Sequence, residues 1–185
     1  MNIITGAQEG LPQGLYNELG TYRHSVFVEL LGWDLETPEG FEEDQFDRPD
    51  TEYIVAKNSE DAIIGCARLL PTARPYLLGE VFPELLDGAE PPCLPDVWEL
   101  SRFAATDLRG GTQVEYGKTS SIVAVALLRN TVKRAAELGA KNLIAVVSLG
   151  AERLMKLANF QVHRAGPPMV LRGHPLVACW IEVTA

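Results

Sequence analysis

The sequence predicts an α/β (α+β) chain, a mixed twisted sheet flanked by helices, in a single domain over residues 1–185. Three observations predict it. Apolar residues at helical spacing run over 13–31 and again over 119–138. Short β-rich runs lie between and after them, at 51–57, 62–70, 97–105 and 142–148. No repeat and no Gly/Ser/Pro-rich linker divides the chain, so the elements are expected to layer around one core.

In the first helix Leu15, Leu19, Tyr22, Val26 and Leu30 recur at steps of three and four, and Gly32 is placed to stop it. Residues 34–50 form a long acidic connection containing FEEDQFDRPD, and loops of that length are usually functional or mobile. TEYIVAK (51–57) and AIIGCARLL (62–70) flank NSED and read as a β-hairpin. Prolines at 71, 75, 91, 92 and 95 break the chain around a loop and a short helix. VWELSRFAA (97–105) reads as a strand whose Glu99 and Arg102, three apart, fall on opposite faces unless a bulge turns them together. In the second long helix Ile122, Val125, Ala126, Leu128 and Val132 are expected inward, with Gly139 as C-cap. NLIAVVS (142–148) reads as a buried strand, ERLMKLANF as a short helix, and VHRA and LVACWIEV as closing strands. This order is similar to the fold of the Gcn5-related N-acetyltransferases, though a fold does not fix a function.

Composition narrows the function classes. A hydrophobic content of 46% and a mean hydropathy of +0.02 indicate a globular chain. No apolar run is long enough to span a bilayer, and MNIITGAQEG lacks the features of a secretory leader, so no membrane association is expected. Cys66, Cys93 and Cys179 have no CxxC pairing and an odd count, which fits reduced thiols in a cytoplasmic protein. His24, His163 and His174 lack metal-ligand spacing, and no metal is expected. The net charge of −9 divides into −15 over residues 1–108 and +6 over 109–185. That asymmetry fits either one cationic and one anionic partner or a plain aid to solubility. No dense basic tract interleaved with aromatics argues for nucleic acid.

The most informative residues are Arg23, Phe27, Trp33, Asp44, Asp47, Arg68, Glu99 and Arg102. Cations, carboxylates and aromatics alternate on separate elements, so only folding brings them together. Taken singly, each has an ordinary explanation: aromatics as core, acids as a solvated loop face, Arg68 as a surface snorkelling residue, Glu99 and Arg102 as a plain structural ion pair. In their local contexts, YRHSVFVELLGW (22–33), EDQFDRPDTEYIVA (43–56), GCARLLPTARPYLL (65–78) and VWELSRFAA (97–105), they resemble the LuxI-type acyl-homoserine lactone synthases (autoinducer synthases). The tail HRAGPPMVLRGHPLVACWIEV (163–183) is similar to the C-terminal stretch of that family, so the likeness covers nearly the whole chain.

The resemblance implies a quorum-sensing enzyme without a cofactor. It would move a fatty acyl group from acyl carrier protein to the α-amine of S-adenosylmethionine, its second substrate. Lactonisation would release N-acyl-homoserine lactone, methylthioadenosine and holo carrier protein. Asp44 and Asp47 are suited to the cationic ligand, with Arg23, Arg68 and Arg102 as their counterweights, because crowded buried carboxylates cannot stand unpaired. Glu99 is the candidate general base, and backbone N–H groups at 101–104 are candidates for the oxyanion. The expected catalytic set is thus Glu99, Arg102, Arg68 and Asp47. The substrate-binding set is Arg23, Phe27, Trp33, Asp44, Asp47, Phe103 and Ser148, the serine standing nearest the position linked to chain selection. Lys133, Arg134, Arg153 and Lys156 are expected to dock the acidic carrier protein. Two other readings are an acetyl-CoA-dependent N-acetyltransferase and a module that binds without turnover. Residues 108–118, LRGGTQVEYGK, do not match the pyrophosphate loop of the former.

Overall fold

A computed structural model describes residues 1–108, 119–171 and 173–184. The strands are β1 (Asn2–Ala7), β2 (Glu52–Lys57), β3 (Ile63–Pro71), β4 (Val97–Ala104), β5 (Asn142–Ser148), β6 (Val162–Arg164), β7 (Met169–Leu171) and β8 (His174–Glu182). The helices are α1 (Leu15–Arg23), α2 (Leu77–Val81), α3 (Thr119–Glu137) and α4 (Leu149–Leu157), and a π-helical segment, His24–Leu30, continues α1. The strands form one mixed sheet in the order β1-β2-β3-β4-β5-β8-β6, with β7 also paired to β8. The chain divides into two compact units, Met1–Arg68 with Arg102–Asn130, and Leu69–Ser101 with Thr131–Ala185.

In the first unit the predicted stripe of α1 is buried. Leu15, Leu19, Tyr22, Val26 and Phe27 pack with Leu11, Tyr53, Val55, Cys66 and Ala104. Leu30, expected inward, is 49% exposed. The reason is the π-helical turn: the Leu31 N–H donates to the Val26 carbonyl, five residues back, at 3.0 Å. Each such bond adds a residue to the turn, so the 3.6-residue register fails beyond Val26. Gly32 ends the helical run at φ +66°, a left-handed conformation that glycine adopts without cost.

The sequence reading did not anticipate β1. Its large apolar residues are Ile3 and Ile4, too short a run for a period to show. It forms as the sheet edge by antiparallel pairing with β2, from Asn2↔Lys57 to Ala7↔Glu52. In α3 the inward face carries Ala124 and Leu127 beside Leu128, which was expected there, while Ile122, also expected inward, is 76% exposed. Further along α3, Thr131, Val132 and Ala135 are buried, and Gly139 caps the end at φ +86°.

The second unit is built on β8. It pairs antiparallel with β5 from Asn142↔Glu182 to Ser148↔Leu176, and with β6 and β7 over three residues each. β5 pairs parallel with β4 over Val97–Leu100. Leu143, Ile144, Ala145, Val177, Ala178, Cys179 and Ile181 are buried, as the continuous apolar runs predict. β7 was missed because Gly166, Pro167 and Pro168 precede it and only three residues pair.

On α4, Glu152 is buried and receives Lys156 Nζ at 2.6 Å and Arg164 Nε and Nη2 at 2.9 and 2.8 Å. The Arg164 and Lys156 hydrogen bonds hold its carboxyl down to about 2. The stabilisation from a depressed carboxyl is present above its ordinary value and is lost as pH falls through the folded one. Glu152→Gln is therefore expected to lower Tm at neutral pH. The gap to the parent should close as pH falls from 4.5 toward 2, which thermal melts across that range will check.

Candidate active site

Seven of the eight singled-out residues lie in the first unit: Arg23, Phe27, Trp33, Asp44, Asp47, Arg68 and Arg102. Glu99 lies in the second. α1 delivers Arg23 at its last turn, and the π-helical segment carries Phe27. The Trp33 N–H donates to the Phe27 carbonyl at 2.9 Å. The two rings stack at 4.8 Å and 28°. β3 supplies Arg68 and β4 supplies Arg102.

The acidic connection is folded, not loose. The Asp44 N–H donates to Asp47 Oδ2 at 2.8 Å, the Phe46 N–H to Asp44 Oδ1 at 2.9 Å, and the Asp47 N–H to the Asp44 carbonyl at 3.0 Å. The short Asp side chains bond their own backbone, which is why this residue type makes such a turn. Thr51 closes it, donating to the Phe46 carbonyl at 2.7 Å and accepting from the Arg48 N–H at 2.9 Å.

Three arginines and three carboxylates form a closed ring of alternating charge. Arg23 grips Asp47 with two bonds of 2.9 Å, and its Nε donates to Glu42. Arg102 donates to Glu42 Oε1 at 2.9 and 3.1 Å and to Asp44 Oδ2 at 2.7 Å. Arg68 donates to Asp44 at 2.6 and 3.1 Å, and its Nη1 lies 3.1 Å from Asp47 Oδ2. Tyr53 adds its hydroxyl to Asp47 Oδ1 at 2.9 Å. The ring is formally neutral, which is what allows six ionised groups to stay buried. Only Asp44, its side chain 16% exposed, reaches solvent appreciably.

Burial by itself would raise the Asp47 carboxyl. The Arg23 hydrogen bond and the neighbouring Arg68 charge overcome it and hold the group well below the usual carboxylate range. Burial works equally against the Arg23 guanidinium, yet Asp47 and Glu42 make it hold its proton more firmly than a free arginine does. Burial pushes the nearby Cys66 thiol up to about 12, so it stays a neutral side chain. The Arg102 guanidinium lies 5.7 Å from the Phe27 ring and 6.0 Å from the Trp33 ring, so cation–π contact backs the ion pairs. Trp33 is 36% exposed.

Arg102 also has φ +49°, which breaks the regular alternation of β4 between Glu99 and Phe103. Phe103 is half-buried. Glu99 is buried, and its two oxygens accept the Leu77 and Leu78 N–H groups at 3.1 and 2.6 Å. It thereby caps the start of α2, where Tyr76 supplies no side-chain bond. Ser148 is exposed, and its hydroxyl caps α4 by accepting from the Ala151 N–H at 3.2 Å. Of the basic candidates, Arg134 pairs with Glu137 at 3.1 Å and Lys156 with Glu152, while Lys133 and Arg153 are exposed. Residues 109–118, where the sequence lacks a pyrophosphate loop, and Arg172 of the basic half lie outside the described residues.

The residue missed in the sequence is Glu42, which bridges Arg23 and Arg102. Its signal was weak, one more acid in FEEDQFD with nothing to separate it from the exposed Glu43. A cavity of about 380 Å³ lies elsewhere in the first unit, lined by residues that include Gln8, Leu11, Tyr16, Asn17 and Pro49, and none of the eight residues lines it.

The fold is a helix-flanked mixed α+β sheet, and its first unit holds a buried, internally neutral charge ring. The chain matches the autoinducer synthase family over residues 11–184. It is 50% identical over 183 residues to the acyl-homoserine-lactone synthase of Acinetobacter nosocomialis, covering 99% of this chain and 100% of that one. Among solved structures it is similar to TofI in a ternary complex with an inhibitor and MTA, with a TM-score of 0.86 and 42% identity over 100% of this chain and 93% of that one. BjaI, a CoA-dependent acyl-homoserine lactone synthase solved with SAM and isopentyl-CoA, shares the fold, with a TM-score of 0.83 and 24% identity over 98% and 82% of the two chains. A putative N-acetyltransferase from Lactobacillus plantarum also shares it, with a TM-score of 0.62 and 20% identity over 99% and 98%, which bears out the expected fold likeness. The chain belongs to the autoinducer synthase family, and with its acyl-homoserine-lactone synthase relatives it is an acyltransferase.

Proposed function

We propose that this chain acylates the α-amine of S-adenosylmethionine from acyl carrier protein and closes the product to an N-acyl-homoserine lactone. The observation that carries the reading is the neutral charge ring, which reaches solvent at Asp44, with Arg102 joining Asp44 to the stacked Phe27 and Trp33. A sulfonium entering a desolvated site needs fixed negative charge and an aromatic face, and this edge offers both. The ligand's carboxylate suits the planar donors of an arginine.

The neutral amine attacks the thioester carbonyl, Glu99 takes the proton directly or through a water, and the carrier thiolate leaves. The ligand's carboxylate oxygen then attacks the carbon bearing the sulfonium and expels methylthioadenosine, a step that positioning alone promotes. Lys133, Arg153 and Lys156 are the exposed members of the carrier-docking set, with Arg134 and Lys156 partly neutralised by their own partners. Phe103 and Ser148 remain candidates for the acyl side of the site. We place the protein in the cytoplasm, where Cys66, Cys93 and Cys179 stay as free thiols.

Incubation with S-adenosylmethionine and parallel panels of acyl carrier proteins and acyl-CoAs, read by mass spectrometry, tests the reading. Lactone with methylthioadenosine from the carrier panel supports it. Turnover from CoA alone moves the donor assignment to CoA, and binding without turnover ends the reading.

Two variants probe its parts. Glu99→Gln keeps one acceptor but turns an amide toward a donating N–H, so it should cut kcat by about 10²-fold and also loosen α2. Full kcat in a variant of lowered Tm would leave Glu99 as a cap only. The Lys133→Glu, Arg153→Glu double variant should slow carrier use at low salt and flatten its salt dependence. Steady-state rates at two ionic strengths decide this, and an unchanged salt slope puts docking elsewhere.

A further inference from the structure

Arg102 occupies a backbone conformation that residues with a Cβ avoid. Such strain persists only where the surroundings over-determine it, so the contacts around 102–106 identify what holds it. The Cys66 thiol donates to the Arg102 carbonyl at 3.2 Å. Gly65 leaves room at the next step, since a Cβ there would come to 3.0 Å from the Ala104 carbonyl oxygen. Beyond the strand, the Tyr22 hydroxyl donates to the Thr106 carbonyl at 2.9 Å and accepts from the Thr106 N–H at 3.2 Å. Tyr22 is buried in the core cluster, and burial pushes its hydroxyl far above the ordinary phenol value, so it remains a donor throughout the working pH range.

Tyr22 is the chain neighbour of Arg23. One turn of α1 therefore anchors one member of the charge ring directly and the backbone four residues beyond another. We infer that Tyr22 is a positioning residue: its hydroxyl clamps Thr106 and so fixes the strained Arg102, setting that guanidinium between Glu42 and Asp44 and against Trp33. The inference rests on the proposed place of Arg102 in the S-adenosylmethionine site. None of the eight family-type residues includes Tyr22, and nothing in its spacing separated it from the other core positions of α1.

The test is Tyr22→Phe, which deletes both hydrogen bonds and keeps the ring, with Tyr22→Leu as a second apolar variant should the phenylalanine fail to pack. Each is assayed well below its own Tm. kcat/KM for S-adenosylmethionine should fall by about tenfold. Acrylamide quenching of Trp33, followed in a Trp98→Phe, Trp180→Phe background, should rise as Arg102 leaves the indole face. A lowered Tm with unchanged quenching overturns the inference, because a merely structural tyrosine would give that result. Raised quenching with kcat/KM within about twofold of the parent overturns instead the assignment of Arg102 to the reaction.

Discussion

Asp47→Asn should abolish most activity and remove about 3–5 kcal/mol of stability, the cost of breaking a buried ion pair from one side. Asp47 accepts two bonds from Arg23, one from Tyr53 and one from the Asp44 N–H, and it faces Arg68. Asparagine has nearly the same shape but one accepting oxygen, and its amide would oppose a guanidinium donor. Two buried arginines would lose their shared anion. Against a typical total of about 5–15 kcal/mol, that loss leaves the first unit marginal. The pH dependence has a definite sign. The Asp47 carboxyl sits below its ordinary value, so its contribution is complete above about pH 4 and fades as pH falls further. Urea titrations should therefore show the largest gap between parent and variant at neutral pH and a shrinking one in acid. A gap that stays constant or grows on acidification would show that Asp47 is not the ionised partner of Arg23.

Glu42→Gln should be nearly as damaging, with kcat/KM down by about 10²-fold and stability down by about 2–4 kcal/mol. Glu42 joins Arg23 to Arg102, and its removal opens the ring between those two arginines. The glutamine oxygen can serve one arginine, and its NH₂ must then face the other. Three arginines would share two carboxylates in a buried site, which raises the cost of every remaining charge. Glu43→Gln is the control, because Glu43 is exposed and accepts the Tyr16 hydroxyl at 3.1 Å, outside the ring. Side-by-side kinetics and melts decide the matter. Equal effects of the two substitutions would mean that general acidity of the loop, not the ring, is what counts.

These neighbours, Glu42 and Glu43, show where sequence reading stops. The acidic run was legible as a long connection, and Asp44 and Asp47 stood out within it by their likeness to a family. Nothing in adjacency told which glutamate turns inward. That depended on the loop's hydrogen-bonded turn and on the Glu42 N–H donating to the Gly20 carbonyl at 3.0 Å. The same holds for Leu30, whose place in the apolar stripe was undone by a π-helical turn, and for β1, whose two isoleucines acquire a strand only when β2 lies beside them. Glu99 was legible as a special carboxylate; that it holds the first amides of α2 was not, because α2 lies twenty-odd residues away in the chain.

The sequence by itself determined the periodic elements, the buried central strands, the Gly32 and Gly139 stops and the family, because these depend on local spacing and on residue types kept in order. The tertiary structure decided that three arginines and three carboxylates, spread from position 23 to 102, close into one neutral ring, and which acid completes it. Charge balance in a low-dielectric interior is a property of several side chains at once, and no run of residues along the chain encodes it.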